Sequence, residues 1–302
     1  MPSASRNIMQ LNPIRESVRL LSDPLFDEKQ ITFYVHFSDA GPVALRGNKW
    51  HKLKYNLLEA DRLGLETLLT FGGAYSNHIA ATACAAKLYG FKSIGIIRGE
   101  ETLPLNKTLH EAKANGMSLY YESREQYRLK ESESYVANLR VRFGDFYLVP
   151  EGGSNSLALP GCRELLDDIT IPFDFVCSPC GTGTTLAGLV TGLKSHQQAL
   201  GFSVLNGGSF LQDKIVELLA EKSLKPDCWQ LIENYHFGGY AKTTAGLTAF
   251  IKDFEKKHAI VIEPIYTGKM FYGLYDLIRN DFFKPGTVLL AIHTGGLQYL
   301  PD

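Results

Sequence analysis

The chain has 302 residues, of which 45% are hydrophobic and 21% are charged, and its formal net charge is −1. This near-neutral charge gives no basic footprint for nucleic acid or for an anionic membrane surface. The N-terminal residues lack the apolar run of a signal peptide, and no later run reaches the ~18 apolar residues of a membrane span. Five cysteines are an odd number for a disulfide framework, which predicts a reduced, cytoplasmic protein.

Predicted strands and helices alternate along most of the chain. Residues 1–30 are expected to be irregular to helical, and β-branched and aromatic residues then predict a strand at 31–38. The other predicted strands are 67–71, 93–97, 118–121, 146–150 and 173–178. The predicted helices are 53–63, 78–89, 105–115, 125–143, 159–169 and about 184–193. This alternation predicts an α/β fold with parallel sheets and helices on both faces.

A basic cluster lies between the first predicted strand and the first predicted helix. Its sequence is Arg46-Gly47-Asn48-Lys49-Trp50-His51-Lys52-Leu53-Lys54, with four basic side chains in nine residues. A lysine in such surroundings is suited to amine chemistry. The alternative interpretation is a solvated basic turn, because lysines usually lie on the surface.

Two loops at strand-to-helix junctions are suited to anions. The loop Cys180-Gly181-Thr182-Gly183-Thr184-Thr185 offers backbone N–H groups and three hydroxyls at the start of a helix, which suits a phosphate. It is not a Walker loop, since no Gly-Lys-Ser/Thr ends it. The loop Gly72-Gly73-Ala74-Tyr75-Ser76-Asn77-His78 suits a carboxylate in the same way. An ordinary turn and a plain helix cap are the respective alternatives.

An amine, a phosphate loop and a carboxylate loop together are what pyridoxal phosphate and an amino-acid substrate require. Polar residues late in the chain, each also explicable as part of a turn, offer further contacts: Tyr240, Tyr266-Thr267-Gly268-Lys269 and His293-Thr294-Gly295-Gly296. The pair Cys177-x-x-Cys180 has no second pair at metal-ligand spacing, so no metal is expected.

These residues, in this order, resemble the family of 1-aminocyclopropane-1-carboxylate deaminase and D-cysteine desulfhydrase. That family belongs to the tryptophan-synthase-β-like, fold type II, pyridoxal phosphate enzymes, and the likeness covers nearly the whole chain. It implies two three-layer α/β domains with mostly parallel sheets. Residues 1–52 and 160–302 would form a large cofactor-binding domain, and residues 53–159 a smaller inserted one. It also implies a homodimer.

The resemblance assigns roles to the basic cluster and to both loops. The family motif Gly-Asn-Lys-x-Arg-Lys-Leu matches Gly47-Asn48-Lys49-Trp50-His51-Lys52-Leu53, which implies that Lys49 forms the Schiff base and that Lys52 reaches the phosphate. The loop from Cys180 to Thr185 would hold the same phosphate. Ser76, Asn77 and His78 match the Ser-Asn-His loop that holds the substrate carboxylate, and Asn77 would also meet the phenolic oxygen of the cofactor.

Four late residues bear on the reaction. Tyr240 and Tyr266 match the active-site tyrosines, either of which could move a proton or polarise the leaving group. At two positions the chain resembles the desulfhydrase branch of the family: Thr267 and Thr294 stand where the deaminases have glutamate and leucine. A threonine can hydrogen-bond the ring nitrogen without supplying a charge, and this fits the elimination of a thiol. The expected function is therefore a lyase that converts D-cysteine, a small amino acid, to pyruvate, ammonia and hydrogen sulfide.

Three alternatives stay open at the level of the sequence. The first is 1-aminocyclopropane-1-carboxylate deaminase itself. The second is a non-catalytic protein that binds pyridoxal phosphate, because Tyr75 and Ala80 stand where the family has glutamine and arginine, and because the chain ends at Asp302, soon after the Gly-Gly motif. The third is a nucleotide-binding protein.

Overall fold

The computed structural model describes residues 15–220 and 226–296, together with Arg6 and Ile8. The expectations for the rest of the N-terminal segment and for the chain end after Gly296 lie outside these residues. Within the described range, no helix is long and apolar enough to cross a membrane. The strands there are β1 Arg15–Leu21, β2 Thr32–Asp39, β3 Thr67–Gly73, β4 Lys92–Arg98, β5 Met117–Glu122, β6 Tyr147–Val149, β7 Phe175–Cys180, β8 Gln198–Ser203, β9 Trp229–Ile232 and β10 Val288–His293.

The α-helices of the described residues connect these strands, and short 3₁₀ turns lie at Val43–Leu45, Glu151–Gly153, Glu164–Leu166 and Pro226–Cys228. The helices are α1 Pro24–Lys29, α2 Asn48–Arg62, α3 Asn77–Tyr89, α4 Lys107–Ala114, α5 Arg124–Tyr127, α6 Glu133–Phe143, α7 Ala158–Arg163, α8 Thr184–Val190, α9 Ser209–Ala220, α10 Ala245–His258 and α11 Thr267–Arg279.

The chain divides into two compact units. Unit 1 comprises Lys52–Ser154 with Arg6 and Ile8, and unit 2 comprises the described residues of Ile14–His51 and Asn155–Asp302. The sheet of unit 2 has the order β1-β2-β10-β7-β8-β9, and that of unit 1 has the order β5-β4-β3-β6. All neighbouring strands are parallel except β1, which pairs antiparallel with β2 at one edge.

Both sheets are covered on both faces, as the strand pattern requires. In β10, Leu289 and Ala291 enter one hydrophobic cluster with side chains of α1, α10 and α11, while Leu290 and Ile292 enter another with α7, α8 and α9. Successive strand residues point to opposite faces, so alternate side chains must fill two separate cores. In unit 1, α5 and α6 contribute to one cluster and α3 and α4 to the other. The predicted α/β fold with parallel sheets is confirmed.

Three local predictions are corrected by the structure. The segment expected to be irregular to helical contains strand β1, which β2 stabilises through antiparallel pairing from Arg15 to Leu21. The single helix predicted at 125–143 is two helices, α5 and α6, and the Ser132 side chain caps the second. Helix α2 begins at Asn48 rather than near Leu53, so Lys49 lies in the first turn of a helix and not in a loop before it.

Candidate active site

The loop after β7 supplies the groups that suit a phosphate. Within it, the Thr182 and Thr184 hydroxyl oxygens lie 3.2 Å apart. Helix α8 follows at once, and its first N–H groups have no partners within the helix, as at every helix start. The Tyr266 ring packs on the loop so closely that a Cβ on Gly181 would lie 3.0 Å from Tyr266 Cε1. The side chain of Cys180 lies in the hydrophobic core, so a contribution of this residue to the phosphate would come from its backbone.

The amine of Lys49 is joined to this loop through the side chain of Asn48. The Lys49 ammonium donates to Asn48 Oδ1, and Asn48 Nδ2 donates to Thr185 Oγ1 at 2.8 Å. Because Thr185 accepts that hydrogen bond, its own hydroxyl proton is left for an anion. One amide therefore fixes the positions of the amine and of a phosphate-loop hydroxyl together.

A glycine brings the start of α2 against the end of β10. Gly47 has φ +64°, and a Cβ there would lie 2.2 Å from the backbone carbon of Thr294. Gly47 N also donates to Ser38 O in β2 at 2.8 Å. Only glycine can occupy this position, because a side chain would be strained and would overlap a neighbouring backbone. Thr294 is buried and lies beside the turn that carries Lys49.

These groups share one edge of the unit 2 sheet. The parallel strands β2, β7, β9 and β10 lead into the segments that carry Lys49, Thr182, Tyr240 and Thr294, respectively. The carboxyl ends of the strands in an open parallel sheet are where ligands usually bind. The sheet thus brings together the predicted residues that unit 2 supplies.

The two tyrosines of the prediction lie next to each other. The Tyr240 and Tyr266 rings meet edge to face, with centroids 6.0 Å apart, and Tyr240 is 38% exposed. The segment that carries Tyr240 is held by Lys269, whose buried ammonium donates to His236 O at 2.9 Å and Gly239 O at 2.8 Å. Burial lowers the pKa of Lys269 to about 8, although the charge of Glu263 acts in the opposite direction.

Thr267 is hydrogen-bonded to Glu263, a buried carboxylate outside the sequence motifs named above. The Thr267 hydroxyl accepts from Glu263 N at 3.0 Å and lies 3.1 Å from Glu263 Oε1. The same carboxylate accepts from the backbone N–H groups of Ile265, Tyr266 and Thr267. Burial raises the pKa of Glu263, and the hydrogen bonds from Ile265, Tyr266 and Thr267 oppose that rise. Glu263 thus fixes the start of α11, and a role of Thr267 at the cofactor ring stays a prediction.

The remaining predicted residues lie in unit 1. Ser76 caps α3, where its Oγ accepts from Ile79 N at 3.4 Å, and Asn77 is buried beside it. His78 Nε2 lies 2.8 Å from Thr70 Oγ1, whose hydroxyl donates to a backbone carbonyl, so the histidine donates. The buried Lys52 packs against Gly153, as does the ring of His78. Gly153 therefore belongs to the same unit as the Ser-Asn-His loop.

Some features of the site had signals in the sequence and others had none. Asn48 is part of the Gly-Asn-Lys motif, but only the structure shows that its side chain connects Lys49 to Thr185. Glu263 stands four residues before Thr267, at the distance of a helix-capping side chain, and this signal was available. No group of three or more His, Cys, Asp or Glu side chains among the described residues could hold a metal ion.

Comparison with known proteins identifies the class that this fold and these residues define. A family model described as pyridoxal-phosphate dependent enzyme matches residues 21–295. The chain belongs to this family, and its cofactor is pyridoxal phosphate. The donor set of unit 2 fits that cofactor: a lysine amine stands beside a loop of hydroxyls and helix N–H groups that contains no acidic residue.

Individual relatives carry the names that the sequence resemblance implied. The bifunctional D-cysteine desulfhydrase/1-aminocyclopropane-1-carboxylate deaminase of Arabidopsis thaliana mitochondria is 30% identical, over 89% of this chain and 73% of its own. The D-cysteine desulfhydrase of Yersinia pestis is 28% identical, over 94% of this chain and 91% of its own. A crystal structure of an ACC deaminase homologue matches with TM-score 0.81 and 28% identity, over 96% and 91% of the two chains. The resemblance is confirmed.

Proposed function

We propose that the protein is a D-cysteine desulfhydrase, which converts D-cysteine and one water to pyruvate, ammonia and hydrogen sulfide. The observation that carries this proposal is the bridge from the Lys49 amine through Asn48 to Thr185 in the phosphate loop. This bridge supports an arrangement in which Lys49 binds the aldehyde of the cofactor and the nearby loop from Cys180 to Thr185 binds its phosphate. The substrate is supported by relatives named for D-cysteine and by threonine at position 267.

Lys49 is the residue we assign to the proton on the substrate Cα. Bound pyridoxal phosphate supplies the electron sink that makes this proton acidic. The free amine of Lys49 is a base at the end of a flexible side chain. The first turn of α2 fixes the position of the Lys49 backbone, from which that side chain extends. Asn48 keeps the amine oriented, because its amide is itself fixed by Thr185.

The leaving sulfur needs a proton or a hydrogen bond, and the tyrosine pair is suited to supply it. Either Tyr240 or Tyr266 can do so, since the two rings are in contact and both stand at the carboxyl edge of the unit 2 sheet. Lys269 positions Tyr240 by holding the backbone before it.

The residues of unit 1 are proposed to handle the anionic groups. Ser76, Asn77 and His78 lie at the start of α3, a helix of 13 residues whose N-terminal dipole favours a substrate carboxylate. Lys52 is proposed to add its charge to the phosphate. Thr267 and Thr294 are proposed to face the cofactor ring without adding a negative charge.

Product analysis tests the proposal directly. The purified protein is supplied with D-cysteine or with 1-aminocyclopropane-1-carboxylate, and the keto acid is identified by chromatography. Pyruvate from D-cysteine with little 2-oxobutyrate is the expected result. Predominant 2-oxobutyrate would support the deaminase instead, and bound cofactor with no keto acid would support the non-catalytic alternative.

Two lysine variants sharpen this test. Lys49→Ala should abolish pyruvate formation and the absorbance band of the lysine-bound cofactor. Lys54→Ala removes the same charge from the same helix, and the Lys54 ammonium lies 5.1 Å from the Tyr55 ring centroid. This control should keep wild-type activity. Equal losses in both variants would contradict the role of Lys49.

We also propose that the protein is a cytoplasmic homodimer. The compartment is supported by five free cysteines, four of them buried. The dimer is supported by the family resemblance alone. Light scattering after gel filtration should give twice the chain mass of 33.6 kDa.

A further inference from the structure

Beside Lys49, and outside the roles given above, unit 2 contains a buried polar cluster. It consists of Glu16 in β1, His36 and Ser38 in β2, and His51 in α2. The Ser38 hydroxyl donates to Glu16 Oε1 at 2.8 Å, and His51 Nε2 lies 2.8 Å from the same hydroxyl oxygen. His51 Nδ1 lies 3.0 Å from Gly161 O in α7. His51 is 1% exposed, so water cannot replace these partners.

The protons of this cluster can be counted. Ser38 has one hydroxyl proton, and it points to Glu16, so the Ser38 oxygen can only accept from His51 Nε2–H. Gly161 O is a carbonyl and can only accept, so His51 Nδ1 also carries a proton. Both ring nitrogens therefore donate, which describes an imidazolium. A neutral ring would leave one nitrogen lone pair facing another lone pair in a buried site.

The charge of this imidazolium has a partner. Glu16 Oε1 lies 3.6 Å from His51 Nε2, and Glu16 Oε2 lies 2.7 Å from His36 Nε2. Burial alone would raise the pKa of Glu16, but hydrogen bonds from His36, His51 and Ser38 lower the pKa to about 2. The carboxylate is thus ionised at neutral pH and pairs with His51.

We propose that His51 is a positioning residue, held as an imidazolium that anchors the first turn of α2 to β1, β2 and α7 and thereby fixes Lys49 two residues earlier. The anchoring is tight, because a Cβ on Gly161 would lie 1.9 Å from His51 O, so α2 and α7 touch backbone to backbone. The proposal rests on the function assigned to Lys49.

The anchor needs both hydrogen bonds of the His51 ring. A ring with only one proton would lose either the bond to Ser38 or the bond to Gly161 O. The related motif has arginine where this chain has His51, and arginine is also a charged donor. The titratable groups that face His51 are Glu16 in β1 and His36 in β2, whereas α7 presents a backbone carbonyl.

The protonation state is measured by side-chain ¹⁵N NMR of the full chain, with the His51 signals assigned by their loss in His51→Gln. At neutral pH, both His51 ring nitrogens should show the shift of protonated nitrogens. A neutral tautomer would overturn the proposal. This readout requires no activity, so it stands apart from the test of Lys49 itself. If Lys49→Ala still forms pyruvate, the role assigned to Lys49 fails whatever the NMR result.

The positioning role is measured by titrating each variant with pyridoxal phosphate. His51→Gln should bind about tenfold more weakly, the effect of losing one charged hydrogen bond. His51→Arg, which restores a charged donor, should bind more tightly than His51→Gln. His258→Gln is the matched control, a histidine of the same unit whose side chain is 4% exposed and contacts Tyr275. Equal affinities of wild type and His51→Gln would overturn the proposal.

Discussion

At the scale of single residues, the site depends on side chains that connect others. Asn48 contacts both the Lys49 amine and Thr185, and Glu16 connects His36, Ser38 and His51. Such connecting residues are hard to find in a sequence, because their partners lie far along the chain: Asn48 and Thr185 are 137 positions apart. The cluster of charges indicated a lysine in this segment, and the family motif implied that it is Lys49. Neither signal indicates the connecting roles of Asn48 and Glu16.

Replacement of Asn48 by alanine should weaken the cofactor site. The variant removes the Asn48 donor from Thr185 and the Asn48 acceptor from the Lys49 amine. Two lost hydrogen bonds at about 1 kcal/mol each predict a ten- to thirtyfold weaker cofactor affinity. Absorbance titration with pyridoxal phosphate measures this change, and Lys54→Ala serves as the control. Unchanged affinity in Asn48→Ala would show that the bridge has no role in binding.

The lowered pKa of Glu16 predicts that the free energy of unfolding decreases in acid. Its pKa in the folded state is about 2, below its usual value of 4.5, so its contribution is present above pH 4.5 and is lost as the pH falls towards 2. The linkage relation gives a loss of about 2 kcal/mol between pH 7 and pH 3. Urea unfolding of wild type and Glu16→Gln should show a stability difference that shrinks by this amount at pH 3. An equal difference at both pH values would contradict the assignment.

At the scale of elements, the sequence pattern and the structure differ most at the start of α2. The apolar spacing from Leu53 indicated a helix, but the first turn carries polar and basic residues and therefore has no apolar periodicity. That turn forms because tertiary contacts hold it: Gly47 meets Thr294, and His51 meets Ser38 and Gly161. Strand β1 was missed for a related reason, since four of its seven residues are exposed and pairing with β2 stabilises it.

Gly47→Ala tests the contact between the start of α2 and the end of β10. The variant places a Cβ 2.2 Å from backbone that cannot yield, in addition to a left-handed conformation that costs about 1–2 kcal/mol. Gly64→Ala is the matched control, because φ is +68° there and no atom lies within 4 Å. Thermal unfolding should show a loss for Gly47→Ala well beyond that of Gly64→Ala. Similar losses in the two variants would mean that this contact is not tight.

Lys269→Met tests the segment before Tyr240. Methionine keeps much of the length of the lysine side chain but removes the ammonium that His236 O and Gly239 O accept from, so each carbonyl keeps only its backbone N–H donor. We expect a loss of about 2–4 kcal/mol in the free energy of unfolding, from two lost hydrogen bonds to a charged donor. If Tyr240 moves the proton, the rate of pyruvate formation should also fall in the folded variant. A folded variant with unchanged turnover would assign that step to Tyr266.

At the scale of the whole molecule, fold and site differ in how far the sequence predicts them. The alternation of strands and helices follows from local composition, which explains why the α/β fold was predicted correctly up to α8. Beyond Leu193 no element was assigned, although β10 lies in the middle of the larger sheet. The site could be predicted from short motifs at strand ends, because glycines and hydroxyl side chains at such positions indicate anion binding without knowledge of the tertiary structure. The predicted domain boundaries and residue roles stay predictions.

The central claim is that Lys49 is the lysine that binds pyridoxal phosphate. Borohydride reduction fixes the cofactor to the lysine that holds it, and peptide mass mapping then locates the added mass. A single modified peptide that contains Lys49 is the expected result, and the added mass should vanish in Lys49→Ala and persist in Lys54→Ala. Modification at Lys52 or Lys269 instead, or no modification of a protein that has bound the cofactor, would contradict the account.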